Sequence, residues 1–476
     1  MALDQGKQLG RKSDVKEMLR LFAKQEDGMM TVFACFMILI MLMVGGIGVD
    51  LMRNEMERTR LQSVADRAVL AAADLDQKLS PQAVVQDYFD KAGMGDYVSS
   101  VTVDQGLNYR TVTVDASTMM NTQFMGAMGV DELVVPAQAT AEEKVNKVEI
   151  SLVLDVSGSM KWGTKMAEMQ AAAGAFVDAV LKEENENLIS VNLIPYSQHV
   201  NAGPLIYDQL NMYTKHNYSH CVEFDDGDFN HIHLDTGKWY DQMQHFQWNT
   251  YSNESGNRQN TRYDTVCPRY AYERILPMSQ DATELKSQIN QLKPRAGTQI
   301  FYGMKWATAM LDPSFGSINS TLVNQGHVDA VFASRPAAHN DEETLKTIVL
   351  MTDGQNSSAA RIKNRYYNSR SEYVHWNNYN FNYYLWNYVS SWRHGNFYYT
   401  KYTEARGDTL LANMCNAAKE ANIVIWTIGF EVEDHGANVM NDCASSPSHF
   451  FRVEGVDIHD AFDAIAKSIN QLRLTQ

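Results

Sequence analysis

The chain lacks an excess of basic residues. Its 41 Lys and Arg stand against 57 Asp and Glu, a formal net charge of −16. No basic surface is implied, so nucleic acid is not an expected partner. Long apolar runs are scarce too. The dense one, MMTVFACFMILIMLMVGGIGV from Met29 to Val49, holds no charged residue. It is longer than the apolar core of a signal peptide, and no A-x-A-like cleavage site closely follows it. It therefore reads as a retained transmembrane helix. Cysteine is sparse, five in 476 residues. Cys35 lies in the span, whereas Cys221, Cys267, Cys415 and Cys443 lie beyond it. An even number there suits disulfides in an oxidising compartment. Three pairings are open; the nearest neighbours, Cys221 with Cys267 and Cys415 with Cys443, are the expected ones, and four separate buried thiols are the alternative. Zinc-site spacing is absent, although His216, His220, His231, His233 and His245 fall in one stretch. EF-hand spacing is absent around Asp225-Asp226-Gly227-Asp228, which reads as a turn.

The basic residues Lys7, Arg11, Lys12, Lys16, Arg20 and Lys24 precede the span, and Arg53, Arg58, Arg60 and Arg67 follow it. This small excess favours a cytoplasmic N-terminus, with the bulk of the chain on the other side of the bilayer. Four regions follow: a cytoplasmic tail over 1–28, the span over 29–49, an α+β region over 50–145, and a large domain over 146–476. In the third region Met52, Met56, Leu61, Val64, Ala65, Ala68 and Ala72 recur at helical spacing, continuing the transmembrane helix as an amphipathic one. A second helix is expected over 81–92. Strands are expected over 101–104, 110–116 and 132–140, the first two alternating as V-T-V and T-V-T-V.

From 148 onward strands and helices alternate, the pattern of a mostly parallel sheet flanked by helices. Strands are expected over 148–155, 189–195, 347–351, 423–430 and 449–453. Helices are expected over 164–182, 281–292, 301–311, 410–421 and 458–472. Two insertions interrupt the order, about 207–272 and 361–406. The second is dense in Tyr, Trp, Phe and Asn. Neither has the aliphatic content expected of a core of its own. The aromatic run suits a binding surface, and its position just after Asp353 would let it overhang that residue.

The first strand ends at Asp155, and Ser157 and Ser159 follow at alternate positions. One carboxylate and two hydroxyls on a tight turn are hard oxygen donors, suited to Mg²⁺, Mn²⁺ or Ca²⁺. This D-x-S-x-S after a hydrophobic strand resembles the metal-ion-dependent adhesion site (MIDAS) of von Willebrand factor A (vWA) domains. The resemblance implies a Thr before a later helix and an Asp after a later strand. Thr298 in R-A-G-T-Q-I and Asp353 in V-L-M-T-D-G match those contexts. It thus implies a metal site of Asp155, Ser157, Ser159, Thr298 and Asp353 in a Rossmann-like vWA fold. Two carboxylates nearly neutralise a divalent cation, Mg²⁺ first among the candidates. A remaining coordination position would take a carboxylate from a protein partner.

The segment from Gly28 through the span to Asp50, then Leu61, Gln62, Ala65, Asp66, Ala68 and Ala71 to Ala73, resembles the TadE/TadG-like proteins of Tad/Flp pilus assembly. The small sheet after a long helix is similar to pilins and pseudopilins. An anchor of this kind followed by a vWA domain is the TadG-like arrangement, which implies a role in pilus assembly or adhesion and pilus components as partners. Cleavage after Gly28 would put Phe33 where pilin-type processing places Glu, so no processing is expected.

A metal-independent structural envelope protein is the alternative reading. A serine hydrolase is a third: Ser157 sits after a strand, but G-x-S-x-G is absent and no His stands in a partner context. No enzymatic activity is expected.

Overall fold

The computed structural model describes residues 20, 27–74, 77, 79–105, 109–144, 147–248, 265–341 and 343–475. Nearly all of the expected cytoplasmic tail, and residues 249–264 of the first insertion, lie outside this set. The chain divides into two compact units, Met1–Lys144 and Val145–Gln476.

The first unit is built on α1 (Asp27–Ala73), 47 residues in one helix and therefore about 70 Å long. It is long and apolar enough to cross a membrane. Over the apolar run its side chains point outward all round; Phe33 is 60% and Leu42 65% exposed. Among the described residues no core covers them, as suits a helix solvated by lipid. The second half is amphipathic. Leu61, Ala65, Ala68, Val69 and Ala72 are buried, at the i, i+4, i+7, i+8 and i+11 spacing of one helix face. Met52 and Met56, expected on that apolar side, are exposed instead. The buried stripe begins only at Leu61, where the helix meets a sheet.

That sheet is β1 (Val98–Gln105), β2 (Tyr109–Asn121) and β3 (Glu132–Lys144), all antiparallel. Val112, Val114 and Ala116 of β2 and Val135, Ala137 and Ala139 of β3 alternate inward onto α1 and α2 (Pro81–Lys91). Helix α2 starts on Ser80, whose hydroxyl accepts from Ala83 N–H, with Pro81 in its first turn. One carboxylate of α1 ties down the β2–β3 connection by hydrogen bonds. The buried carboxylate of Asp50 accepts from the backbone N–H groups of Gln123, Phe124 and Met125 at 3.0, 2.7 and 2.8 Å.

The second unit is an open six-stranded sheet. Its strands are β4 (Lys147–Asp155), β5 (Ile189–Tyr196), β6 (Leu276–Ser279), β7 (Thr344–Thr352), β8 (Val424–Phe430) and β9 (Phe450–Val453). They lie in the order β9-β8-β7-β4-β5-β6, with only the edge pair β5–β6 antiparallel. β4, β5 and β7 are buried along nearly their whole length, which is why they read as continuous apolar runs. Helix α3 (Lys165–Val180) packs against α4 (Ala282–Gln291) and α8 (Asp457–Thr475), with Phe176 and Phe462 at 5.7 Å. Helices α5 (Ile300–Ala309), α6 (Glu404–Glu420) and α7 (Asp434–Cys443) form the other group. On that side Ser151 of β4 donates to the Ala307 carbonyl at 3.0 Å. The chain runs outward from β4 through β5 and β6, then returns to the other flank of β4 as β7. The strand order therefore reverses between β4 and β7, and a crevice is expected at their C-terminal ends.

Two expectations are corrected. The insertions do build a core: Cys221, Met243, Phe246, Val266 and Cys267 of the first pack with Ile362, Tyr367, Trp376, Phe381 and Leu385 of the second. Aromatic rings and a Cys221–Cys267 disulfide supply the apolar contact that aliphatic residues usually give. Helix α6 also begins earlier than the apolar pattern suggests, because the Thr403 hydroxyl accepts from Arg406 N–H and starts the helix inside the aromatic insertion. A second disulfide joins Cys415 on α6 to Cys443 on α7.

If Asp50 holds the β2–β3 connection, Asp50→Ala leaves three amides without their acceptor. Hydrogen–deuterium exchange at Gln123, Phe124 and Met125 is expected to accelerate at least about tenfold, the equivalent of one lost hydrogen bond. Exchange in the centre of β2 is expected to stay slow.

Candidate functional site

The crevice at the strand-order reversal is where the charged residues gather. Asp155 ends β4, and Asp353 follows β7 directly. Both are almost fully buried. The turn after β4 folds back on its own carboxylate: Ser157 N–H donates to Asp155 Oδ1 at 2.7 Å. Ser157 Oγ and Ser159 Oγ are 3.0 Å apart, and Ser159 Oγ donates to Asp353 Oδ1 at 2.6 Å. A chain of hydroxyls thus joins two loops 194 residues apart in sequence.

Backbone hydrogen bonds fix the loops that carry these groups. Arg295 N–H donates to the Val156 carbonyl at 2.8 Å, and Gly158 N–H to the Ala296 carbonyl at 2.9 Å. The loop before α5 therefore lies against the serine turn. Thr298 N–H donates to Ser357 Oγ at 2.9 Å, and Ser357 N–H to the Thr298 carbonyl at 2.8 Å, tying the same loop to the segment after Asp353. Close approach is built in: a Cβ on Gly297 would sit 2.8 Å from Ser357 Oγ, and one on Gly436 at the start of α7 would sit 2.8 Å from the Gly354 carbonyl oxygen.

Ser159, Thr298 and Asp353 line one cleft of about 440 Å³, with Lys165, Ser357, Glu404, Glu431 and Glu433 among the other walls. Asp155 and Ser157 lie beneath it, fully buried. The structure thus brings Asp155, Ser157, Ser159 and Asp353 into one bonded network and sets Thr298 on the same wall. Of the aromatic insertion, Glu404 at its C-terminal end reaches the described lining and none of its aromatic side chains does, so the expected overhang by the aromatic run is not there. Among the described hydrogen bonds Ser157 Oγ meets Ser159 Oγ and no imidazole.

Sequence reasoning missed several participants. Thr352 donates to Asp155 Oδ2 at 2.7 Å. The Tyr196 hydroxyl lies 3.3 Å from the same oxygen and donates to the Met351 carbonyl at 3.0 Å. Lys165 Nζ lies 3.2 Å from Asp353 Oδ2 and 3.5 Å from Glu431 Oε2. Thr352 could have been suspected as the neighbour of Asp353, and Lys165 as the first residue of the helix after the serine turn. Ser357 carries no sequence signal of its own.

Burial, and then the charge of Asp353, push the Asp155 carboxyl up to about 7, against the hydrogen bonds from Ser157 and Thr352 that favour its charged form. Burial likewise raises Asp353, although Ser159 and Lys165 oppose the shift. The pair is short of positive charge. Among the described residues no group of three or more His, Cys, Asp or Glu is placed to hold a metal. The donor set here is two carboxylates with hydroxyls, a different chemistry.

Residues 28–75 match the family model described as Flp pilus-assembly TadE/G-like. The N-terminal segment is TadE/G-like in sequence. No curated protein matches the chain. Among solved structures, the vWF domain of the type V pili tip protein Mfa5 from Porphyromonas gingivalis is 15% identical. That overlap covers 70% of this chain and 97% of that one, with a TM-score of 0.36. The pilus adhesin RrgA from Streptococcus pneumoniae is 10% identical over 78% of this chain and 49% of its own, with a TM-score of 0.33. Proximal thread matrix protein 1 from the mussel byssus, with a zinc-occupied MIDAS motif, is 13% identical over 69% of this chain and 46% of its own, TM-score 0.27. The vWA-like arrangement of the second unit rests on its own strand order, not on these loose overlaps.

A raised carboxyl gives stability that is present in full below its ordinary value of 3.8 and lost as pH rises through its folded value. In EDTA Asp155 is therefore expected to contribute a decline in the second unit's stability, on the order of a few kcal/mol, between about pH 4 and pH 8, set against the opposite trend from His199, His216 and His245, whose burial holds them below their ordinary range. Asp155→Asn should flatten that decline in chemical denaturation, and an unchanged slope would contradict the assignment.

Proposed function

We propose that the chain is a membrane-anchored, divalent-cation-dependent binding protein of the Tad/Flp pilus system, acting in pilus assembly or adhesion. In this reading α1 crosses the bacterial inner membrane, with the N-terminus cytoplasmic and the bulk of the chain periplasmic. Asp155, Ser157, Ser159, Thr298 and Asp353 would hold the cation, Mg²⁺ before Mn²⁺ or Ca²⁺. The observation that carries the reading is the hydroxyl chain from Ser157 through Ser159 to Asp353 above a buried Asp155. These are hard oxygen donors whose carboxylates lack enough positive charge nearby.

The residues present fit a divalent ion. Two carboxylates offset its charge, and three hydroxyls add donors without adding charge. When bound, the cation would supply an incompletely satisfied positive centre for an anionic ligand group. The chain's own residues do the rest. Lys165 holds Asp353 in place when the ion is absent. Glu404, Glu431 and Glu433 make the rim acidic, attracting cations and repelling a partner's carboxylate until the cation is in place. Ligand binding would then depend strictly on metal. The TadE/G-like match over residues 28–75 supports pilus components as partners.

One observation favours a second reading, a metal-independent structural envelope protein. The ion pairs of Lys165 with Asp353 and Glu431 already hold the crevice together. Calorimetric titration separates the two. Wild type is expected to bind Mg²⁺ or Mn²⁺, and Asp155→Ala to show no measurable binding. Pull-down of pilus components that persists in EDTA, with no metal bound by wild type, would establish the structural reading instead.

A further inference from the structure

The β2–β3 connection of the first unit, 122–131, has an unusual surface. Phe124, Met128 and Val130 are 48%, 44% and 36% exposed. Asp131 is its single charged residue. The connection is nevertheless well anchored. Thr122 N–H donates to the Asp131 carbonyl at 2.9 Å, and the Thr122 hydroxyl to the Val130 carbonyl at 2.6 Å. Asp50 accepts from three successive N–H groups of the connection. An ordered loop that shows apolar side chains to solvent marks an interaction surface.

Its position on α1 says what it meets. A Cβ on Gly46 would lie 2.7 Å from both Cβ and Cγ of Phe124, so the ring packs on the helix at Gly46. Gly46 is inside the apolar run, about 4–5 Å short of its end at Val49. Arg53, about 10 Å beyond Gly46, faces Asp50 at 3.7 Å and keeps its side chain 39% exposed, the first basic side chain past the apolar run and so at the level of a headgroup region. The loop therefore sits at the depth where the apolar helix leaves the hydrocarbon, and its exposed side chains continue the helix's apolar surface sideways.

We propose that Phe124, Met128 and Val130 insert into the outer leaflet of the bilayer that α1 crosses, making the β2–β3 tip a second membrane contact. The occupant is lipid acyl chain at the interface, the same solvent that covers the exposed side chains of Met29 to Val49. The tip works as a collar. Asp50 satisfies the three amides that would otherwise be desolvated at that depth, and the apolar side chains fix the tilt and rotation of the helix.

The inference rests on the membrane-anchored reading, and one experiment separates their failures. Full-length protein is reconstituted into phosphatidylethanolamine–phosphatidylglycerol vesicles with both disulfides intact. A nitroxide is attached to native Cys35, or, on Cys35→Ser, to Met128→Cys, Val130→Cys or Glu142→Cys. Glu142 is exposed on β3, eleven residues past Asp131 at the end of the tip and so about 37 Å along the strand. Relaxation by oxygen, which partitions into lipid, is compared with relaxation by a water-soluble nickel chelate. The expected result is an oxygen-to-nickel ratio at 128 and 130 shifted towards that of Cys35 and well above that of 142. Labels at 128 and 130 that match 142, with Cys35 in lipid, overturn the collar and leave the anchor standing. Shielding of both positions from both reagents indicates a protein contact there and also overturns it. An aqueous Cys35 overturns the anchor and the collar together.

Discussion

Two carboxylates held together without enough positive charge are the constraint on which the second unit turns. Asp155 and Asp353 come from strands adjacent in the sheet, β4 and β7, but far apart in the chain. Each repels the other, and both are buried. Ordinary packing would separate them. Here the parallel order puts both strand ends at one edge, and backbone hydrogen bonds to Val156, Ala296 and Thr298 lock the intervening loops. The backbone N–H of Ser157, the hydroxyls of Thr352 and Ser159 and the Lys165 ammonium then take up the four carboxylate oxygens. The sheet, the flanking helices and the close approach at Gly436 all position this pair.

The rest of the unit is held by chemistry suited to an oxidising compartment. A disulfide closes the first insertion, and edge-on rings pack it against the second, Phe246 with Phe381 at 5.6 Å and, within the second, Trp376 with Phe381 at 4.8 Å. They are also joined by charge. Glu223 of the first insertion receives two hydrogen bonds from Arg361, at 2.9 and 3.0 Å, and one from Lys401 of the second. Burial alone would raise the Glu223 carboxyl, but those two cations hold it well below the usual range. The Asp225–Asp228 stretch, read as a turn, caps a short helix and pairs with Lys238.

What could be read from the sequence follows from what is local. The strands of the parallel sheet are visible because burial on both faces demands unbroken apolar runs. Asp155, Ser157 and Ser159 are visible because one turn carries all three. The edge strand β6 was missed: Leu276 to Ser279 is four residues long and contains Pro277, so it offers no period to detect. The exposure of Met52 and Met56 was missed because helical spacing says which residues share a face, not where along the helix the sheet begins. Ser357 and the Glu223 pairs depend on contacts between distant segments, which no spacing encodes. The aromatic run splits between the two readings: Trp386, Tyr388 and Trp392 are exposed, whereas Tyr367, Trp376 and Phe381 are buried against the first insertion, a division that its irregular spacing does not encode.

The central claim is that one divalent cation belongs between Asp155, Ser157, Ser159, Thr298 and Asp353. Anomalous diffraction from crystals soaked in Mn²⁺ tests it most directly. The expected result is one strong peak within bonding distance of the oxygens of both loops. A peak elsewhere on the acidic rim, or none at saturating Mn²⁺ with Lys165 still paired to Asp353, would contradict it.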